Sequence, residues 1–223
     1  MNKKITLSLS YYNDIEYLDK HFSEWVNYKD LINFQIIDDC SEVPLINLVD
    51  DVILKELGIK IYRVLDDIKW NIPGVRNLGA AVCNTDWILI CDMDQYFFRK
   101  DIETMYKFTD LGSKNEFYSF ARKDKTQTAG TMLISLDNYW KVGGYDEDLI
   151  GNYGWNDPLF RKKLEHSKIN EKIISDIICK EQFADCKLDR KGNNKNKKKF
   201  KKKVKNLNLI SSNILRFNWK REI

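Results

Sequence analysis

Two carboxylates, Asp92 and Asp94, follow directly after a short apolar run at residues 87–91, WILIC. Such a run is typical of a buried strand, and residues i and i+2 of a strand point to the same side. The two side chains therefore converge beyond the end of the strand, where open α/β sheets bind ligands. Paired carboxylate oxygens suit a hard divalent cation. The residues alone also allow a second interpretation, in which both acids are solvated at a strand end.

Polar, mostly acidic residues also follow three earlier predicted strands, at Asn13-Asp14, Asp38-Asp39 and Asp66-Asp67. The carboxyl ends of parallel strands lie along one edge of a sheet, so we expect these side chains in a single cleft. For any one pair, helix capping or a turn is the simpler explanation. Four such pairs on one edge are costly unless a cation compensates their charge. The cleft therefore suits a substrate that brings its own cation, such as a metal-chelated diphosphate.

A helix is predicted to open at Pro73-Gly74, which places Arg76 in its first turn. Backbone N–H groups and the helix dipole favour an anion at that end. Arg76 is therefore a candidate for direct contact with a phosphate. A surface arginine is the alternative that the residues leave open.

Strands alternate with helical stretches through most of the chain. Strands are predicted at 5–9, 34–37, 59–65, 87–91, 117–120 and 131–135, and helices follow Asp14, Pro44, Pro73, Asp101 and Asp157. The helix from Pro44 is expected to run to about Leu57 and to end at Gly58. This alternation predicts an α/β fold with a doubly wound, mostly parallel central sheet flanked by helices.

Basic residues are concentrated near the C-terminus. The net charge is +4, yet residues 187–205 contain eleven Lys or Arg and one Asp, and residues 206–223 add +2, so residues 1–186 carry −8. We predict a main domain at 1–186 and a Lys-rich C-terminal extension at 187–223. The lysine segment is expected to be mobile in isolation, and the final ILRFNWKREI could add an edge strand or pack back on the domain.

No stretch approaches the ~20 apolar residues of a membrane span, and the five cysteines form no CxxC pair. We expect a cytoplasmic protein without a disulfide framework or zinc site. The lysines of 187–205 leave open a weak contact with an anionic membrane, and hence a peripheral membrane location. Nucleic acid is not expected as a partner, because Phe200 is the one aromatic residue of that segment.

Five segments, in order over about residues 5–165, resemble family 2 glycosyltransferases of the GT-A fold. They are LSLSYYND, FQIIDDCS, PGVRNLGAA, ILICDMDQYF and GTMLISLDNYWKVGGYDEDLIGNYGWNDPLFRKKL. Asp92 and Asp94 match the DxD motif of that family, and the GGYDE…GWND segment is similar to the galactosyltransferase-like C-terminal motif. The chain departs from the pattern at Asn156-Asp157, where the family usually has Glu-Asp.

The resemblance implies a hexosyltransferase-like enzyme that moves a sugar from a nucleoside-diphosphate donor, a UDP- or GDP-sugar, to a saccharide or other hydroxyl acceptor. It implies Mn²⁺ or Mg²⁺ held by Asp92 and Asp94, with Asp94 as the principal ligand, and inversion at the anomeric carbon. It assigns nucleotide-sugar binding to Tyr11, Asn13, Asp38, Asp39, Arg76 and Asp92. Trp155 is a further candidate, because it follows Gly154 and aromatic rings suit the apolar faces of sugars. A Trp155 ring that fills a core pocket is the alternative.

Asp157 has two interpretations that are compatible with each other. The resemblance implies a general base that takes the proton of the acceptor hydroxyl. An aspartate before a proline is also a good N-cap with Pro158 at the first helical position. Only one carboxylate oxygen is needed for the cap, so the other remains available for catalysis.

Two other function classes remain open at this point. A sugar-phosphate nucleotidyltransferase would share the superstructure, but residues 8–14 (SLSYYND) lack the Gly, Lys or Arg of a phosphate loop. A non-catalytic nucleotide-, glycan- or polyanion-binding protein would use the lysine segment and leave the acidic cleft without a role.

Overall fold

The computed structural model describes residues 3–111, 114–123, 126–182, 193–206 and 213–223. Four parallel strands form the centre of its main sheet, in the spatial order β3-β2-β1-β4. They are β1 (Ile5–Tyr11), β2 (Asn33–Asp38), β3 (Lys60–Val64) and β4 (Trp87–Cys91). Nearly every residue of β1, β2 and β4 is buried, as expected for central strands with both faces covered.

The described part of the chain contains six further strands. They are β5 (Gln95–Tyr96), β6 (Glu116–Ala121), β7 (Met132–Ser135), β8 (Asn170–Ile178), β9 (Lys180–Glu181) and β10 (Trp219–Arg221). The main sheet has the order β10-β3-β2-β1-β4-β7-β6-β8, and β5 pairs with β9 in a separate ribbon. Strand β7 runs antiparallel to β4 and β6, and β10 runs antiparallel to β3.

Seven α-helices connect or flank these strands in the described residues. They are α1 (Leu18–Trp25), α2 (Asp51–Leu57), α3 (Ile72–Ala81), α4 (Arg99–Leu111), α5 (Leu136–Lys141), α6 (Asn156–His166) and α7 (Asn193–Lys205). Short 3₁₀ turns lie at Ile15–Tyr17, Leu45–Asn47 and Glu147–Leu149. The predicted mostly parallel α/β sheet flanked by helices is confirmed.

The hydrophobic core divides between the two faces of the sheet. On one face, Trp25 of α1 stacks on Phe34 of β2 with ring centroids 4.4 Å apart. On the other face, α5 and α6 pack around Ile88 and Ile134, while Phe217 near the C-terminus joins the cluster under α3. Full burial of an aliphatic or aromatic side chain contributes about 1.5–3 kcal/mol, so each layer holds its helices firmly on the sheet.

The register of the parallel strands aligns their carboxyl ends. Tyr11 is opposite Asp38, and Asp38 is opposite Arg63 on the next strand. Leu9 is opposite Cys91, so the chain leaves β1 and β4 at the same edge. The residues that follow β1, β2 and β4 therefore meet along one rim.

Two predicted helix starts differ from the structure. Asp14 forms no side-chain cap, and a 3₁₀ turn precedes α1. The helix expected from Pro44 to Leu57 is divided, because Pro44 is extended and the carboxylate of Asp50 accepts from Val52 N at 2.7 Å to begin α2. The predicted end of that helix at Gly58, in a left-handed conformation, is confirmed.

Residues 193–205 of the lysine-rich segment form α7, although their composition favours a mobile chain. Asn196, Phe200 and Val204 follow one another at intervals of four and point inward, while most of the lysines are exposed. Near the C-terminus, Trp219–Arg221 form the edge strand β10. The domain boundary predicted at residue 187 lies outside the described residues. No helix in the described ranges has the length and hydropathy of a membrane span.

Candidate active site

A single arginine joins two carboxylates that come from distant parts of the chain. One terminal nitrogen of Arg76 donates to Asp92 at 2.6 Å, and the other donates to Asp157. The Arg76 side chain is only 4% exposed, whereas those of Asp92 and Asp157 are 34% and 24% exposed. A planar guanidinium suits this double contact. The structure therefore brings three of the predicted site residues together, with the two carboxylates facing solvent.

Asp157 is fixed by a second donor, Tyr145. The Tyr145 hydroxyl donates to Asp157 Oδ1 at 3.0 Å, on the oxygen that also accepts from Arg76. Burial raises the pKa of Tyr145 well above its ordinary value, so the hydroxyl remains a donor. The Tyr145 ring is stacked on Phe160 of α6, with centroids 4.2 Å apart. Among the described residues, no hydrogen bond engages Asp157 Oδ2.

The loop that carries Tyr145 is held by Asn77, the neighbour of Arg76 on α3. Its side-chain oxygen accepts from Tyr145 N at 2.8 Å, and its amide donates to Tyr145 O at 3.0 Å and to Glu147 at 2.9 Å. Asn77 and Glu147 are both buried. Helix α3 thus supplies the arginine and also fixes the loop that orients its partner.

Gly130 passes close to the Arg76–Asp92 ion pair. A Cβ atom at this position would lie 2.3 Å from an Arg76 nitrogen and 2.6 Å from Asp92 Oδ2. The absence of a side chain therefore permits the pair to form beside the backbone. The sequence analysis did not identify Gly130, because the residues that it borders are 38 or more positions away in the chain.

Asp94 lies in the turn after β4 and is exposed. Partial desolvation, followed by the negative charges of Asp92 and Glu181, raises its pKa to about 6. Glu181 itself pairs with Arg122 at 2.6 Å. The sequence analysis missed Glu181, which comes near Asp94 because β9 pairs with β5.

These acids fit a metal that arrives with its substrate better than a metal held by the protein alone. Within the described ranges, no three His, Cys, Asp or Glu residues are arranged as a metal cage. Mg²⁺ typically uses one or two carboxylates and completes its coordination with phosphate oxygens and water. Asp94 makes no ion pair among the described residues, and the negative charges of Asp92 and Glu181 lie near it.

Asp39 forms the second part of the cleft, beyond β2. Its carboxylate accepts from the Asn71 amide at 2.9 Å. Burial is the main cause that raises the Asp39 pKa to about 7, and the nearby Asp38 and Asp67 add to it. Asn13 joins the loops after β1 and β2, since its backbone donates to Ser41 and its side-chain oxygen accepts from Glu42 N.

Tyr11 and Asp38 lie beneath the cleft rather than at its surface. The Tyr11 ring is 1% exposed and belongs to the hydrophobic core, whereas Tyr12 is 48% exposed. Asp38 is fully buried, and its oxygens accept from Ser41 N, Leu45 N and Arg63. Tyr12 is the exposed ring here, and Asp38 folds the loop after β2. The nucleotide-sugar contacts predicted for Tyr11 and Asp38 therefore stay predictions, to be made from beneath the cleft surface.

Trp155 caps α6 in a left-handed conformation with φ of 70°. Helix α6 begins at Asn156, so Asp157 is not the N-cap that its position before Pro158 predicted. The Trp155 indole donates to Asn193 of α7, and its ring lies 4.9 Å from that of Phe200. The ammonium of Lys197 is 5.6 Å from the Trp155 ring centroid.

A separate open cavity of about 760 Å³ lies between α7 and the segment before β10. Ile68, Asp148, Lys202 and Phe217 are among the residues that line it. None of the predicted site residues lines this cavity. It is therefore distinct from the cleft that contains Arg76, Asp92 and Asp157, which is called the Arg76 cleft below.

Residues 8–165 match the family model described as "Glycosyl transferase family 2". The match includes all the predicted site residues and ends before α7. A search among curated proteins found none that matches the chain.

Solved structures with a similar fold share little sequence identity with the chain. Staphylococcus aureus TarS has 15% identity and a TM-score of 0.66, over 79% of this chain and 36% of TarS. Its fragment 1–349, solved with UDP-GlcNAc, has 13% identity and a TM-score of 0.65, over 82% of this chain and 60% of the fragment. The mannosyltransferase PcManGT of Pyrobaculum calidifontis was solved with GDP-Man and Mn²⁺. It has 12% identity and a TM-score of 0.67, over 84% of this chain and 59% of PcManGT. The chain thus spans about a third to three fifths of the length of these proteins.

The raised pKa of Asp39 makes a prediction about stability. The unfolded carboxyl loses its proton near pH 4 and the folded one near pH 7. Between these values the unfolded state binds fewer protons, so stability decreases as pH rises, and the loss is complete above pH 7. Asp39→Asn should therefore be more stable than the wild type by roughly 2–4 kcal/mol at pH 8 and nearly equal to it at pH 4.

Urea denaturation between pH 4 and pH 8 measures this difference in the free energy of unfolding. The control is Asp19→Asn, which changes an exposed aspartate of α1. A difference that does not change with pH would contradict the assignment.

Proposed function

The chain belongs to glycosyl transferase family 2, and from this membership we propose that it transfers a sugar from a nucleoside-diphosphate donor to a hydroxyl acceptor. The transfer is proposed to depend on Mn²⁺ or Mg²⁺ and to invert the anomeric carbon. One observation carries the proposal: Arg76 joins Asp92, at the expected metal and donor site, to Asp157, the expected base. The residue proposed to bind the donor and the residue proposed to act as base are therefore both paired with one buried cation.

The donor is proposed to lie along the rim formed by the carboxyl ends of β1, β2 and β4. Asn13, Asp39 and the exposed Tyr12 would contact the base and ribose. Arg76 and Asp92 would lie near the ribose and diphosphate. TarS has been solved with UDP and with UDP-GlcNAc, and PcManGT with GDP-Man. We therefore propose a UDP- or GDP-sugar as the donor class.

Asp94, with Asp92 beside it, is proposed to hold the divalent cation. The cation would supply positive charge to the departing diphosphate. Asp94 suits this role because its carboxylate is exposed, forms no ion pair in the described residues and lies among other negative charges. PcManGT was solved with Mn²⁺, which supports the same cofactor class here.

Asp157 is proposed as the general base. Arg76 and Tyr145 hold Oδ1, so the orientation of the carboxylate is fixed while Oδ2 remains available. The acceptor oxygen attacks the anomeric carbon as its proton passes to Asp157 Oδ2. The bond from that carbon to the diphosphate oxygen breaks with its electron pair on the oxygen. A carboxylate on the face opposite the leaving group gives inversion.

A sugar-phosphate nucleotidyltransferase is less consistent with these observations. Family membership favours sugar transfer, and the loop after β1 contains no Gly, Lys or Arg for a triphosphate. A non-catalytic binding protein would not need a carboxylate fixed by two donors beside a second acidic pair.

The exposed face of α7 is proposed to contact anionic membrane surfaces weakly. Lys195, Lys198, Lys201, Lys202 and Lys205 are all exposed on this one helix. A basic residue near an anionic bilayer contributes about 1 kcal/mol. A peripheral location on the cytoplasmic side is part of this proposal.

Asp94→Asn should remove metal-dependent activity and preserve the fold. The amide has no negative charge for the cation, so turnover at saturating Mn²⁺ should fall by about two to three orders of magnitude. The Mn²⁺-dependent rise in melting temperature with UDP or GDP should also disappear. Asp86→Asn, an exposed aspartate before β4, is the matched control. Undiminished transfer by Asp94→Asn would reject Asp94 as the metal ligand.

Asp157→Asn should separate chemistry from donor binding. Its side-chain oxygen can still accept from Arg76 and Tyr145, but the variant has no base. We expect kcat to fall by about 10²–10⁴-fold, with nucleotide–Mn²⁺ affinity nearly unchanged. Single-turnover kinetics and calorimetry measure the two quantities. Asp137→Asn in the first turn of α5 serves as control, and retained kcat in Asp157→Asn would reject the base.

Changing Lys198, Lys201, Lys202 and Lys205 together to Gln should abolish binding to vesicles that contain anionic lipid. Sedimentation at 0.1 M salt measures this binding, which should be absent with neutral vesicles and weaken as salt increases. The control changes four exposed lysines elsewhere to Gln: Lys55, Lys100, Lys107 and Lys141. Equal losses in both variants would mean that net charge, not the α7 face, governs the contact.

A further inference from the structure

We propose that Asn196 of α7 is a positioning residue for Asp157, which makes the lysine-rich helix part of the active-site architecture. The inference rests on the proposed role of Asp157 as the base. Asn196 would act through the backbone of residues 149–155, the loop that leads into α6. The inward face of α7 would thereby have a role distinct from that of its exposed lysines.

The side-chain amide of Asn196 lies within hydrogen-bond distance of three backbone carbonyls of this loop. Its amide nitrogen lies 2.9 Å from Leu149 O, 2.8 Å from Asn152 O and 2.9 Å from Gly154 O. Asn196 is fully buried. An irregular loop has no secondary-structure partners for its carbonyls, and a buried carbonyl without a donor costs about 1–3 kcal/mol. The two hydrogens of one amide group therefore serve three carbonyls, with one hydrogen shared between two of them, and define the path of the loop.

The loop needs such support because its backbone is unusual. Gly151, Gly154 and Trp155 all have positive φ, of 88°, 82° and 70°. A left-handed conformation costs a non-glycine residue about 1–2 kcal/mol, so Trp155 adopts it only where its surroundings impose it. Asn193 accepts from the Trp155 indole, and Phe200 packs against its ring. Helix α7 thus fixes both the backbone of the loop and its terminal side chain.

The end of this loop determines where Asp157 lies. Trp155 is the N-cap of α6, and Leu159 N donates to Trp155 O at 3.2 Å to form the first helical hydrogen bond. Asp157 lies in that first turn, with Oδ1 already engaged by Arg76 and Tyr145. A shift of the Trp155 backbone would rotate the turn and move Oδ2 relative to the acceptor.

The same loop reaches the donor side of the cleft. Gly151 N donates to Lys69 O at 2.9 Å, and Tyr153 lies edge-on to Trp70 with ring centroids 5.0 Å apart. Lys69 and Trp70 lie between β3 and α3, directly before Asn71, the partner of Asp39. Loop 149–155 therefore connects α7 to both halves of the cleft.

Ion pairs hold the C-terminal half of α7 against the segment that precedes this loop. Lys203 pairs with Asp146 at 2.8 Å and with Asp148 at 2.7 Å. Lys199 donates to Asp148 O at 2.6 Å. These contacts place the helix so that Asn196 can reach the three carbonyls, and they account for two lysines that do not serve a membrane surface.

The test compares Asn196→Leu with Asn194→Leu. Leucine preserves the number and branching of the side-chain heavy atoms of Asn196 and removes its donor, whereas Asn194 is exposed on the same helix. We expect kcat of Asn196→Leu to fall about 10–100-fold, because a displacement of about 1 Å at a reacting group can cost 10²-fold. The dissociation constant of UDP or GDP with Mn²⁺ should change less than twofold. Asn194→Leu should match the wild type in both.

Amide hydrogen exchange gives a readout that does not depend on activity. In Asn196→Leu, protection should be lost at Gly151 and Leu159, whose amides donate within or after the loop, and kept in β1 and β4. If the wild type transfers no sugar from any donor while this local loss occurs, the proposed function fails and the control of the loop by Asn196 stands. Unchanged exchange in the loop overturns the inference even when transfer is observed.

Asn193→Leu is a milder second variant in case Asn196→Leu does not fold. It removes the hydrogen bond to the Trp155 indole at the start of α7. We expect a several-fold fall in kcat without a change in nucleotide binding. Two results would overturn the inference: kcat within twofold of the wild type in every folded variant, or equal losses of kcat and of nucleotide affinity.

Discussion

The candidate site depends on one buried cation shared by two carboxylates. Arg76 is almost fully buried, and removing a guanidinium from water is costly unless it is paired and hydrogen-bonded. Asp92 and Asp157 supply that compensation from β4 and α6. The ion pairs therefore fix the distance between the two sides of the cleft. The packing of α3 on the sheet, the Asn77 contacts and the lack of a side chain at Gly130 all preserve this geometry.

The sequence was sufficient to predict the sheet and the edge where the site lies, because both follow from local patterns. A short apolar run predicts a buried strand, and the spacing of Asp92 and Asp94 places them at its end. It could not show that Arg76 would pair with carboxylates 16 and 81 residues away, since tertiary packing decides that contact. Nor could it separate Tyr11 from Tyr12, because which tyrosine enters the core depends on where β1 ends. Tyr145 belongs to the GGYDE segment, but its contact with Asp157 arises only through the fold, as does the approach of Glu181 to Asp94.

Composition was misleading at the lysine-rich segment. High charge and low complexity favour a mobile chain, but a helix needs only a narrow apolar or neutral stripe to dock. Asn196, Phe200 and Val204 provide that stripe among eight lysines of α7. Docking brings the indole of Trp155 and the carbonyls of loop 149–155 into contact with the helix. The glycosyl transferase family match ends at residue 165, so this contact joins the family region to a part of the chain beyond it.

The pairing of β10 with β3 has a consequence for the behaviour of the protein in solution. Three residues near the C-terminus, Trp219–Arg221, cover backbone groups of β3 that would otherwise be an open template for another chain. Strand β10 is itself the edge of the sheet, and Lys220 and Arg221 place positive charge there. This charge opposes edge-to-edge pairing of two molecules. Loss of β10 would expose unpaired backbone groups of β3. The first sign would be self-association at high protein concentration rather than a defect in the Arg76 cleft.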